Sequence, residues 1–126
     1  MEQTTLTIGG KEYPIRYTMA AIQRALKVMN VKPSELAAKA VSPDMSDIMD
    51  FSLSVAWAGL MSGHKLQHPG KPAPFAGPEE LAEAIESLQE LNPAIELFSA
   101  AWLKFVGAGE AQEGNEPGEV QTAPVN

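Results

Sequence analysis

From Ser42 to Gly63, apolar side chains recur on nearly every side of a helical wheel, and no other feature narrows the fold as much. Met45, Ile48, Met49, Leu53, Ala56 and Leu60 form one stripe, and Phe51, Val55, Ala58 and Met61 form a second. A helix lying on a surface needs one such stripe; a helix with two must be covered from several directions. The spacing predicts a central helix over about 43–62 with other elements packed around it. Ser42-Pro43-Asp44 supplies its start: a capping hydroxyl, proline at the first helical position, then a carboxylate favoured by the helix dipole. Gly63 is the expected stop. Gly59 and the small Ala and Ser positions leave room for a neighbour to come close.

The surrounding elements follow from local pattern. Thr4-Leu6-Ile8 and Tyr13-Ile15-Tyr17 alternate across Gly9-Gly10, a hairpin pattern in which glycine supplies the positive φ of a tight turn. Leu6, Ile8, Tyr13, Ile15 and Tyr17 form its covered face, and Pro14, which cannot donate to a ladder, makes its strand an edge there. Such a hairpin is marginal alone and must lean on helices. Thr18 is placed to cap a first helix over about 19–30, with Ile22, Ala25, Leu26 and Met29 on one face and Asn30 as its stop. A short second helix begins near Pro33-Ser34-Glu35-Leu36 and runs to about Ala40. After the central helix, the proline- and glycine-rich stretch His64–Gly77 reads as an irregular connection. Pro78-Glu79-Glu80 opens a fourth helix with Leu81, Ile85 and Leu88 on one face. Asn92-Pro93 breaks that pattern and starts a fifth, the asparagine capping.

The expected class is therefore mainly α (α+β): an N-terminal β-hairpin packed on a compact bundle of about five helices, residues 1–106. Residues 107–126 are dominated by Gly, Glu, Pro, Gln and Asn and read as a disordered acidic tail, since they cannot bury enough to offset their ordering entropy. No internal repeat is visible.

Composition excludes several function classes. The chain has 126 residues, no cysteine and a net charge of −7. Without cysteine there is no disulfide scaffold, thiolate metal site or cysteine nucleophile. The acidic balance argues against the nucleic-acid backbone as a partner. Part of it is local: Glu110, Glu113, Glu116 and Glu119 fall in the tail with no Lys or Arg beside them. No stretch approaches the roughly 20 apolar residues that span a bilayer, and Met1-Glu2-Gln3-Thr4 lacks the charged and apolar regions of a signal peptide. A soluble, intracellular protein is expected.

No catalytic constellation emerges. His64 and His68 are four apart, a chelating spacing on a helix, but Gly63 and Pro69-Gly70 flank them and argue against a regular helix there. They read as solvated loop histidines. Asp44, Asp47 and Asp50 are explained by the dipole of the helix they open, and Glu79, Glu80, Glu83, Glu86 and Glu90 by the wet side of the fourth helix. Gly9-Gly10-Lys11 is followed by a strand, not the helix a phosphate loop requires. Neither an enzyme, a cofactor nor a metal is expected.

Apolar side chains, in contrast, are in excess. The fifth helix places Ile95, Phe98, Trp102 and Phe105 at i, i+3, i+7 and i+10. Together with the central helix this exceeds what one small core covers, and a leftover apolar patch marks a protein partner. Methionine suits adaptable binding surfaces, and tryptophan is favoured at interface hot spots. Trp57, Leu60, Met61, Phe98, Trp102 and Phe105 are the candidates to lie at or beneath such a surface.

Over about residues 4–106 the chain resembles the tail assembly chaperones of long-tailed, siphovirus-type bacteriophages. The stretch Leu6-Thr7-Ile8-Gly9-Gly10-Lys11-Glu12-Tyr13-Pro14-Ile15-Arg16-Tyr17 resembles their opening hairpin, followed by a helix starting at Thr18-Met19-Ala20-Ala21. Pro33-Ser34-Glu35-Leu36 resembles their short second helix. Trp57-Ala58-Gly59-Leu60 resembles an aromatic-Ala-Gly-Leu string at the end of the central helix, and Glu79-Glu80-Leu81 the start of the next. The connection from Met61 to Pro78 is longer and richer in proline than the family's, and Pro78 stands where a capping threonine is usual. The resemblance implies a non-catalytic protein of the bacterial cytoplasm, absent from the mature virion, that binds the tape measure protein and promotes tail tube assembly. It also implies contact with the tail tube protein through a longer, frameshifted form, and leaves room for self-association. The alternative is a structural phage tail or connector subunit retained in the virion.

Overall fold

The computed structural model describes residues 4–106; the expected disordered tail, 107–126, lies outside the described residues. Strands β1 (Thr5–Ile8) and β2 (Lys11–Pro14) pair antiparallel, with Leu6 opposite Tyr13 and Ile8 opposite Lys11. The turn is Gly9-Gly10 at φ 60° and 82°, left-handed values that glycine adopts without a steric penalty. Leu6, Ile8 and Ile15 are buried, and Tyr13 and Tyr17 half-buried, so the covered face is the expected one.

Helix α1 (Met19–Met29) is capped by Thr18, whose hydroxyl accepts from the Ala21 amide at 3.2 Å. It ends at Asn30 in the left-handed conformation, φ 58°, whose amide turns back to the carbonyls of Leu26 and Lys27. A 3-10 turn at Pro33–Glu35 leads into the short α2 (Leu36–Ala40).

Helix α3 (Met45–Gln67) is the axis of the molecule. The helices α1, α2, α4 (Pro78–Ala84) and α5 (Asn92–Val106) and strand β2 all pack on it, as its two apolar stripes require. Two clusters lie along it. One joins Leu6, Ile8 and Ile15 of the hairpin region to Leu60, Leu81 and Leu91. The other joins Ile22, Leu26 and Met29 to Phe51, Val55 and Phe98.

Both ends of α3 differ from the sequence reading. Its cap is Asp44, whose carboxylate accepts from the Ser46 amide at 2.8 Å; Ser42 instead accepts from the Asp44 amide and donates to Asp47. Gly63 does not stop the helix. A Cβ at Gly63 would collide with the carbonyl of Pro14, and one at Gly59 with the ring of Tyr17. The two glycines, four residues apart and so on one face, form a bare strip along which residues 14–17 run. The Arg16 amide donates to the Gly59 carbonyl at 3.0 Å, fixing that approach. Gly63 is thus selected for closeness, not termination, and the helix continues through His64 to Gln67.

The 23 residues of α3 span about 34 Å, against about 16 Å for α1 and about 22 Å for α5. Its neighbours are too short to cover it throughout, which leaves Met45 and Met49 of the first stripe exposed. At this end α2 is tied on by Lys39, whose ammonium lies 2.7 Å from Asp50 and 3.5 Å from Asp47. The Asp50 hydrogen bond holds the Lys39 ammonium above its ordinary range.

Helix α4 is shorter than expected and stops at Ala84, with Ile85 already extended. Leu88 belongs to a 3-10 turn, Leu88–Leu91, that runs into α5 without a break. The cap at this point is Ser87 and not Asn92. Ser87 accepts from the Gln89 amide, while Glu90 accepts from the amides of Ser87 and Glu86, a reciprocal arrangement that satisfies the turn's free donors. Glu90 also accepts from the Gly9 amide at 3.2 Å, fastening the hairpin turn to this corner. No helix among the described residues is long and apolar enough to cross a membrane.

Candidate partner-binding site

The aromatic stripe of α5 climbs from the core to the surface. Phe98, 2% exposed, packs edge-on against Phe51 and Tyr17, with ring centroids 6.0 and 5.7 Å away. Trp102 stacks on Phe98 at 6.3 Å, and Phe105 tilts against Trp102 at 5.5 Å. Trp102 is half-buried and Phe105 is 39% exposed. Successive helical turns place the three rings in one series, so the inner ring anchors the outer two.

Beside this series runs a groove between α5 and the segment that links β2 to α1. It consists of two adjoining recesses, of about 290 and 230 Å³, that share Tyr17, Ala101 and Lys104. The first reaches Arg16 and Leu97; the second reaches Met19 and Phe105. Met19 is 63% exposed. It escapes sequence reasoning because it belongs to the first turn of α1 and joins Phe105 only through the packing of α1 on α5.

The remaining candidates do not lie together. Leu60 is buried in the hairpin-side cluster. Trp57 is half-buried, and its indole donates to the Phe75 carbonyl at 3.0 Å. It also lines a separate recess of about 410 Å³ with Ala20, Arg24, Lys27 and Val28 of α1. Met61 is half-buried on α3. Phe75 itself is buried against Tyr13, 5.3 Å between centroids. No periodicity marks a phenylalanine within a proline-rich connection, so the sequence gives no warning of it.

The polar groups serve the architecture. The Tyr17 hydroxyl donates to the Val55 carbonyl at 2.7 Å, and burial pushes its phenol well above the ordinary tyrosine range. The irregular connection expected from His64 begins only at His68. His64 lies inside α3, His68 caps it, and their rings are 5.3 Å apart, because the helix continues past Gly63. His64 Nε2 lies 3.0 Å from the Lys71 carbonyl. Among the described residues no three His, Asp or Glu side chains gather as a metal set. Both ion pairs among the described residues belong to Lys39, and no described carboxylate lies at ion-pair distance from Arg16, Arg24, Lys27 or Lys104. The lining of the groove is mostly apolar, with Ile15, Ile22, Leu97 and Phe105 among it, and carries the two cations Arg16 and Lys104; Arg24 and Lys27 belong to the separate recess beside Trp57.

No family model matches the chain, and no curated protein or solved structure matches it significantly.

Proposed function

We propose that this protein is a non-catalytic tail assembly chaperone of a long-tailed bacteriophage. It binds the tape measure protein in the host cytoplasm, keeps it soluble and promotes assembly of the tail tube around it. The hairpin, short second helix and central Trp57-Ala58-Gly59-Leu60 string carry the resemblance. The observation that carries the binding role is the series Phe98–Trp102–Phe105, which rises from the core to end exposed beside Met19. A long tape measure helix has to bury its apolar face during assembly, and an anchored aromatic edge with an adaptable methionine is a fitting receiver.

The test is a pull-down with an N-terminally tagged chain from cells producing the phage, read by mass spectrometry beside purified virions. Capture of a long, helix-rich tape measure protein, with this chain absent from virions, is the expected result. Capture of portal or head-completion proteins, with the chain present in virions, would assign it to the structural subunits instead.

A further inference from the structure

Ala100 lies at the centre of the solvent face of α5. Ala94 and Phe98, on the opposite side of the helix, are buried, while Glu96, Ser99, Ala100, Leu103 and Lys104 are exposed. Leu103 lines neither recess of the groove, so the groove does not account for its exposure. Glu96 and Lys104 each stand four residues from Ala100, one before it and one after. Within one helix that places them about 12 Å apart, too far to pair. Neither forms an ion pair among the described residues. Turned end over end about Ala100, this face sets each charge against its opposite.

We infer that this face pairs antiparallel with α5 of a second copy of the chain, Ala100 against Ala100 across a two-fold axis. Glu96 of each copy then stands level with Lys104 of the other, giving two reciprocal ion pairs from one self-complementary patch. A parallel pairing would oppose acid to acid and base to base, so the charges fix the direction. Ser99 and Ala100 are small enough to let the two backbones come close, and Leu103 of each copy leaves water beside them. A patch running from Glu96 to Lys104 is small against the about 1,200 Å² of a standard complex, so the dimer is weak and concentration-dependent. Ala100 and Lys104 also line the groove, so pairing covers part of it. That overlap matters to partner binding only under the reading of the groove as the partner surface; the pairing itself does not rest on it.

Sedimentation equilibrium of the full chain tests this, with a dimer of Kd on the order of 100 μM expected. Glu96→Lys and Lys104→Glu should each weaken it at least about tenfold, because each sets like charges level in the pair. Glu96→Lys/Lys104→Glu should recover the dimer, and an equimolar mixture of the two single variants should form a heterodimer. Circular dichroism should show every variant folded, since both positions are exposed. The chain has no cysteine, so Ala100→Cys gives an independent reading. Mild oxidation should join two copies through this residue on the axis, while Glu83→Cys, exposed on α4, stays monomeric. A parent chain that remains monomeric at about 500 μM, single variants that dimerise as the parent does, or equal cross-linking at both cysteines would overturn the proposal. No tape measure protein enters either measurement, so failure here and failure of the pull-down are separate results.

Discussion

The phenol of Tyr17 lies over the bare backbone of Gly59 and donates a 2.7 Å hydrogen bond to the Val55 carbonyl one turn earlier in α3. This joint holds the exit of the hairpin against the central helix, and the same ring supports Phe98 at the base of the aromatic series. Tyr17→Phe keeps the ring and loses the hydrogen bond, for an expected loss of about 1 kcal/mol. Gly59→Ala drives a methyl into the ring and should lose more, about 1–3 kcal/mol. Urea unfolding of both variants checks the order.

Gly63→Ala separates close contact from helix termination. In an unencumbered helix the change stabilises by about 1 kcal/mol. Here the added carbon meets the backbone of Pro14 and Ile15, which cannot rotate aside. A net loss of about 1–3 kcal/mol is expected; a higher melting temperature would refute the contact.

Tyr17 also sets an alkaline limit. Its phenol is raised in the folded chain above the ordinary 10.0, so the folded state retains a proton that the unfolded state releases. Stability is complete below that ordinary value and declines as pH rises beyond it. Denaturation midpoints measured across this range should fall, and fall less steeply in Tyr17→Phe.

Glu90 gives the acid counterpart. The amides of Glu86, Gly9 and Ser87 hold its carboxyl below the ordinary 4.5. A depressed carboxyl contributes stability above its unfolded value and loses it as pH falls through the folded one. Thermal melts below that ordinary value should show Glu90→Gln with a shallower acid decline than the parent chain.

Phe98 and Phe105 lie seven residues apart on one stripe and should respond oppositely. Phe98→Ala removes a buried ring and is expected to lose about 3–5 kcal/mol. Phe105→Asp removes a partly exposed ring and puts an anion at the end of α5, so it should lose only about 1 kcal/mol, well short of the Phe98→Ala loss, while abolishing capture of the tape measure protein. Melting curves and the pull-down together decide it.

By itself the sequence determined what short-range chemistry controls. Alternation around Gly9-Gly10 specified the hairpin, Thr18 and Asn30 bounded α1, and two apolar stripes made α3 central, because strand and helix periods and cap hydrogen bonds span only a few residues. The spacing of Phe98, Trp102 and Phe105 likewise revealed half of the candidate site. Tertiary structure decided the rest. Gly63 reads as a stop until Pro14 is seen against it, and Asn92 reads as a cap until Glu90 is found bridging Ser87 and Gly9. Phe75 is core only because Tyr13 and Trp57 reach it, and Met19 joins the groove only because α1 crosses α5. Each depends on a contact between residues far apart in the chain, and local preference yields wherever such a contact gains more free energy than the local signal is worth.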